Sequence, residues 1–352
     1  MGGRAAYGGL ALLAAASAAL GAQGGGALRN TTLTAVPGIK VGHHTLAERP
    51  TGCTVILAEA GVTAGVDVRG SAPATRETDL LNPVNLVQIA HAIVLSGGSA
   101  FGLDSASGVM RYLEERRIGF EFGPAHVPIV PAAAIFDLSL GDGRIRPGAE
   151  CGYQAARTAT DASVTEGSVG AGAGATVGKT AGMARSMKGG VGSAAITLPN
   201  GLIVAALVVV NAAGDVIDAA TGQVVAGVRT ADGKSFADAR KILRAGGTGT
   251  PVSAGRQNTT LGVIATNARL TKTEATRVSQ MAHDGYARAL APSHTSGDGD
   301  VIFTLATGTN GAGGSDVGQV GALAADVMAD AIVRAARQAT GVPGIPAVRD
   351  LK

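Results

Sequence analysis

Residues 250–267, TPVSAGRQNTTLGVIATN, restrict the fold more than any other stretch. LGVIAT is short, apolar and partly β-branched, and turn residues bound it, so it reads as a buried strand. TPVSAGRQ, just ahead, is crowded with breakers and reads as an exposed loop. Thr259 therefore stands where a loop becomes a core strand. Strand-like and helix-like stretches interleave on both sides of this junction. That pattern predicts an α/β (α+β) chain of two packed sheets flanked by helices, with strands from either side of Thr259 sharing the core. No internal period is visible, which argues against solenoids and propellers.

A threonine hydroxyl is a weak nucleophile by itself. Cutting the chain just before Thr259 changes that, because the freed α-amine has a pKa of about 8 and can take the hydroxyl proton. One residue then supplies both nucleophile and base, held rigid by the strand behind it. The same Asn258-Thr259-Thr260 run is also common turn chemistry, in which the asparagine bonds its own backbone.

With 352 residues, 46% of them apolar, the chain can bury a sizeable core. Aromatics are only 3% and Trp is absent, so that core is built from Ala, Val, Ile and Leu. The 54 glycines follow no collagen period, which points to close backbone packing and many tight turns. A net charge of +3 with mixed signs leaves no basic stripe and no argument for a nucleic-acid partner.

Residues 1–22, MGGRAAYGGLALLAAASAALGA, read as a secretory signal, which predicts a secreted or periplasmic protein. A flexible N-terminal extension is the other reading. Residues 23–30, QGGGALRN, read as a spacer, leaving 31–352 as one domain. The later apolar run at 202–210 is about half the length needed to span a membrane. Cys53 and Cys151 are an even pair that an exported chain can bridge, and two buried free thiols fit as well.

Further strands are predicted in LTAVPGIKVGHHT, CTVILAEA, AGVDVRG, HAIVLSGG and around Phe136 in PIVPAAAIFDLSL. SAAITL and LIVAALVVVN predict a hairpin ending at Asn211, and DVIFTLATG a late strand. Helices are predicted in SAFGLDSASGVMRYLEERR, GAECGYQAARTAT, LTKTEATRVSQMAHDGYARAL and the C-terminal GSDVGQVGALAADVMADAIVRAARQAT. The glycine turn of HAIVLSGG suits an anion cradle at a helix start and equally a plain tight turn.

Some motifs miss. AGATVGKT at 173–180 approaches a P-loop, but Ala173 stands where glycine is needed. GGSAFG approaches a nucleophile elbow at Ser99 and is one residue out. The six histidines lack metal spacing, so no metal is expected. Asp298 and Asp300 lie two apart where HTSGDGDVIF enters a strand, and strand geometry faces them the same way. Such a pair can orient an amine, hold a lysine or share a proton, and a solvated turn is the plain alternative. Lys179, closing the glycine run 167–178, can act as an unusual base or a charge partner. Asn211 can offer its amide to an oxyanion.

In this order, GGSAFGLDSASGVMRYLEE, AGATVGK, LVVVN, NTTLGVIATNARLT and HTSGDGDVIF resemble the self-cleaving L-aminopeptidase/D-esterases. Within that family the motifs look most like those of the nylon-oligomer (6-aminohexanoate-oligomer) endohydrolases. The resemblance implies a four-layer αββα sandwich of the ornithine-acetyltransferase type and one self-cleavage, between Asn258 and Thr259. It would leave a large subunit, 31–258, and a small one of 94 residues (352 − 258).

It also implies Thr259 as nucleophile, Lys179 and Asn211 lining the site with Asn211 as oxyanion donor, and Asp298 and Asp300 as the paired carboxylates. Aminopeptidase relatives carry Ser and Glu at those two positions. A homotetramer of processed protomers, a small peptide or amide substrate and no cofactor go with it. Phe136 stands on the substrate-binding wall where the nylon-oligomer branch has Tyr, so a phenol donor is missing. The implied reaction is amide hydrolysis through an acyl-enzyme on Thr259. Ornithine acetyltransferase, similar in fold, passes the acyl group to an amine instead, and an exported binding protein that kept the fold is a third reading.

Overall fold

The computed structural model describes residues 30–247, 258–310 and 316–351. The expected signal, all of the spacer but Asn30, and the loop 250–257 lie outside the described residues. Lys40–Thr45 (β1), Gly52–Val68 (β2), Thr75–Arg76 (β3) and Ile89–Ser96 (β4) lead to helix Ser105–Glu114 (α1). Phe120–Phe122 (β5), Ala125–Val127 (β6) and Ala132–Ala134 (β7) follow, then helix Ala149–Arg157 (α2). Thr176–Val177 (β8), Met187–Lys188 (β9), Gly190–Thr197 (β10), Ile203–Asn211 (β11), Asp215–Ile217 (β12) and Val224–Ala226 (β13) precede helix Ala239–Arg244 (α3). Thr259–Thr266 (β14), helix Lys272–Ala289 (α4), Leu290–Ala291 (β15), Val301–Ala306 (β16) and helix Val317–Gln338 (α5) complete the described elements.

Among the described residues the main ladder runs β10-β11-β14-β16-β2-β4-β7-β3, with β1 also on β2. The two predicted strands CTVILAEA and AGVDVRG are one strand, β2. Its pairing with β4 slips register between Leu57 and Val62. The first half of β2 pairs with β1 and β4, and the second half pairs with β16 while keeping β4 at Val62 and Thr63. The strand therefore belongs to both sheets and joins them.

The inner faces of the two sheets meet in one core, where Ile56, Ile93 and Leu95 pack with Leu207, Val209, Val263 and Phe303. On the outer face of β10, β11, β14 and β16, Val208, Ile264 and Ile302 pack against α4 and α5 through Val278, Ala282, Met328 and Ile332. On the other outer face, Val55 and Val94 pack under α1 and α2 through Val109, Leu113 and Ala155. The result is the expected helix–sheet–sheet–helix order. Leu207 and Val209 face one core while Val208 and Val210 face the other. A strand covered on both faces is apolar throughout, which is why LIVAALVVV shows no alternation.

Cys53 of β2 and Cys151 of α2 form a disulfide, with Cα atoms 6.2 Å apart. Closing so long a loop stabilises the fold by about 4.7 kcal/mol in the chain-entropy account. The strand expected around Phe136 ends at Ala134. Asp137 diverts the chain. Its buried carboxylate pairs with the buried Arg49 guanidinium at 2.7 Å and accepts from Thr51 Oγ1 at 2.6 Å. Arg49 also donates to the carbonyls of Asp137, Leu140 and Ile145, so the loop after β7 wraps around one cation. Gly98 N donates to Asp137 Oδ1 at 2.9 Å, so the glycine turn before α1 cradles an anion of the protein itself.

Asp137→Ala would strand a guanidinium in the core. Denaturant titration should show it about 3–5 kcal/mol less stable than the parent. A loss under 1 kcal/mol would mean that solvent reaches Arg49.

Candidate active site

Strand register assembles the site. In the antiparallel β11–β14 ladder Asn211 lies opposite Thr259, so their side chains share a face. On its other edge β14 runs parallel to β16, and just before that pairing Asn258 bridges Asp298. The start of β14 is thus held between the end of β11 and the turn that enters β16. Asn211, Asn258, Thr259, Asp298 and Asp300 are all buried.

Lys179 enters from the glycine run. Its Nζ donates to Asn211 O at 3.0 Å and to Asn211 Oδ1 at 2.9 Å. Thr176 adds its N–H at 3.0 Å and its hydroxyl at 3.3 Å to the same Oδ1. With these donors on Oδ1, the amide is oriented with Nδ2 as its donor end, and Nδ2 donates to Phe136 O at 3.0 Å. Phe136 thus reaches the site through its main chain. That carbonyl is an acceptor and does not replace the donor a phenol would bring.

The Thr259 hydroxyl donates to Asn258 O at 2.5 Å, and Gly299 N donates to the same oxygen at 3.1 Å. A Cβ at position 299 would lie 2.9 Å from Thr259 Oγ1 and 2.5 Å from Ala72 O. Only glycine lets this N–H come so close to the carbonyl and the hydroxyl. The two carboxylates differ in work. Asp300 Oδ1 accepts Thr260 N–H at 2.7 Å, and its Oδ2 lies 2.8 Å from His294 Nδ1. Asp298 Oδ2 accepts Thr295 N–H at 2.7 Å. Because β16 begins only at Val301, strand alternation does not set their directions.

Burial, and then the neighbouring Asp300 charge, push the Asp298 carboxyl up to about 6. Burial brings the Lys179 ammonium down to about 7, against the pull of Asp298 and with the push of Lys188. An amine and a carboxyl that burial shifts towards neutrality mark a candidate acid–base site.

All five predicted catalytic residues come together. His294, Gly299, Thr176 and Lys188 were not picked out. His294 lies six residues before Asp300 in one short segment, and that spacing was the available signal. The near-miss motifs lead elsewhere. Ser99 opens a 3-10 turn, and Lys179 ends on an asparagine with no helix following it as a P-loop requires. Among the described residues no three His, Cys, Asp or Glu side chains group as metal ligands.

The sequence matches Peptidase family S58 over residues 31–348. It is 43% identical over 349 residues to an uncharacterised aminopeptidase of Mycobacterium leprae (strain TN), covering 90% of this chain and 92% of that one. It is 31% identical over 319 residues to the 6-aminohexanoate-oligomer endohydrolase of Kocuria sp. (strain KY2), covering 88% and 87%. The L-aminopeptidase D-Ala-esterase/amidase of Ochrobactrum anthropi, a serine aminopeptidase with a variant Ntn-hydrolase fold, aligns at TM-score 0.65. Identity there is 19%, with 90% of this chain and 89% of that one covered, so this likeness is one of fold. With the family match and the relatives spanning nearly the whole chain, the protein belongs to peptidase family S58 and is a hydrolase of peptide or other linear amide bonds.

Proposed function

We propose that this hydrolase is self-processing, cutting its own Asn258–Thr259 bond and then using Thr259 as an N-terminal nucleophile. The reading rests on one observation above the others: the Thr259 hydroxyl, the Asn258 carbonyl and the Gly299 N–H converge at that bond. In the first step Thr259 Oγ1 attacks the Asn258 carbonyl carbon, and its proton passes to neutral Lys179 or to the Asp298 carboxylate. Gly299 N–H stabilises the oxyanion. The peptide C–N bond breaks, the Thr259 nitrogen takes a proton, and water opens the ester that remains. The new amine, or Lys179, then serves as base when Thr259 attacks an external amide.

A positioned base contributes on the order of 10²–10⁴ in rate. An oxyanion donor such as the Asn211 amide contributes on the order of 10²–10³. Asp300 fixes the Thr260 amide and so the backbone behind the nucleophile. The substrates proposed are short peptides, amino-acid amides or esters, and ω-amino-acid oligomers, in line with the aminopeptidase and endohydrolase relatives. No cofactor takes part. We place the mature enzyme outside the cytoplasm, from residues 1–22 and from the disulfide, since such bonds persist in oxidising compartments. Assembly into a tetramer of processed protomers follows from the family resemblance.

Intact mass with N-terminal sequencing tests the reading directly. Two fragments are expected, one beginning at Thr259. A purified, active protein that remains a single chain through this bond would exclude the mechanism. The pH profile is a separate check. If neutral Lys179 is a base, kcat/KM should climb with pH through about 7 as its ammonium loses the proton. A profile flat from well below to well above that value removes Lys179 from the role.

A further inference from the structure

Beneath the glycine run lies a second lysine. Lys188, in β9, is fully buried. Its Nζ donates to Ala173 O at 2.7 Å and Ala175 O at 2.8 Å, and among the described residues it makes no ion pair. An ammonium in such a place is costly compared with an apolar side chain of the same length. What it adds is a grip on two carbonyls and a positive charge below the site.

The grip leads to Asn211. The peptide between Ala175 and Thr176 has its carbonyl on Lys188 and its N–H on Asn211 Oδ1. Thr176 and Lys188 are direct partners in the β8–β9 ladder, so the strand register fixes this arrangement. Asn211 Oδ1 also receives Lys179 Nζ. One peptide plane therefore separates Lys188 from the asparagine amide, and that amide separates it from Lys179.

We propose that Lys188 is a positioning residue for amide hydrolysis: it locks the Ala173–Thr176 backbone and thereby the Asn211 amide. The inference rests on the reading of Lys179 as base. Each lysine is brought down to about 7 chiefly by burial. The charges that bear on them are few. Asp137, itself occupied by Arg49, Thr51 and Gly98, favours the charged form of Lys188. Asp298 favours the charged form of Lys179, while Lys188 opposes it.

Lys188→Met and Lys188→Gln separate the two effects, read as the rate of self-cleavage and as kcat and KM across pH. Lys188→Met removes both grip and charge. Its kcat should fall about 10-fold with KM nearly unchanged, because an oxyanion donor acts mainly in the transition state. The acid limb of its profile should move up by about 0.5–1 pH unit as Lys179 becomes easier to protonate. Lys188→Gln restores a donor to the carbonyls without the charge, so kcat should recover while the limb stays displaced.

A folded Lys188→Met variant with parental kcat, or a folded Lys188→Gln variant that recovers none of the loss, overturns the proposal. A parent enzyme with no acid limb instead overturns the reading of Lys179 as base. Should neither variant fold, ¹⁵N titration of the lysine Nζ atoms in Thr259→Ala protein decides. An Asn211 side-chain amide resonance that moves as Lys188 titrates supports the proposal, and one that stays put through that titration refutes it.

Discussion

Thr259→Ala should yield one uncut polypeptide with no measurable amide hydrolysis. Removing the nucleophile of a site that works as a unit costs on the order of 10⁶ in kcat, and here the same atom would be needed for maturation. The fold should tolerate the change. Oγ1 bonds only the preceding carbonyl among the described groups, and losing one such bond costs about 1 kcal/mol. Thermal melting should therefore show a native transition beside a blank assay and a single band on a denaturing gel. Thr259→Ser keeps the hydroxyl and should still cut and turn over. A cut, active Thr259→Ala protein would refute the assignment outright.

Lys179→Met should lose function while gaining stability. The substitution keeps the length of the stem but removes Nζ from Asn211 O and Oδ1. Self-cleavage and turnover should each slow by roughly 10²–10⁴, the contribution of a positioned base. The stability effect runs the other way because burial holds the folded ammonium at about 7 against a model value of 10.5. The unfolded chain binds the extra proton between those values, so parent stability rises with pH across that window. Below about 7 the full cost of charging the buried amine is present in the parent and absent in the variant. The variant's advantage should be largest there and fade as pH approaches 10.5. Denaturation midpoints at several pH values check this. A variant less stable than the parent at pH 6 would mean that the bonds to Asn211 outweigh the desolvation of the charge.

The junction at Thr259 was legible because its signals are local. The short, mostly apolar LGVIAT specifies the strand without reference to the rest of the chain, while the loop expected ahead of it lies outside the described residues. The hairpin ending at Asn211 and helices α4 and α5 were legible for the same reason, α4 with a capping box of Thr271 and Glu274. The family motifs carried Lys179, Asn211, Asp298 and Asp300 to the same place that strand register assembles.

Other features had no local signal. Gly61, at positive φ, looks like the end of a strand, yet β2 continues through it by slipping register on β4. Phe136 sits in an apolar run that reads as strand until Arg49, 88 residues before Asp137, claims the carboxylate next to it. Cys53 and Cys151 admitted two states, and packing α2 on β2 brought them together.

The sequence by itself determined the alternation of elements, the strand that begins at Thr259 and the chemical types the site draws on. The tertiary structure alone decided that Gly299 faces the Asn258–Thr259 bond, that His294 braces Asp300, and that Lys188 lies beneath Asn211. The reason is physical. Pattern and propensity act over a few residues along the chain, whereas hydrogen-bond direction, burial of charge and the room left by a missing Cβ depend on segments that meet only once the sheets have packed.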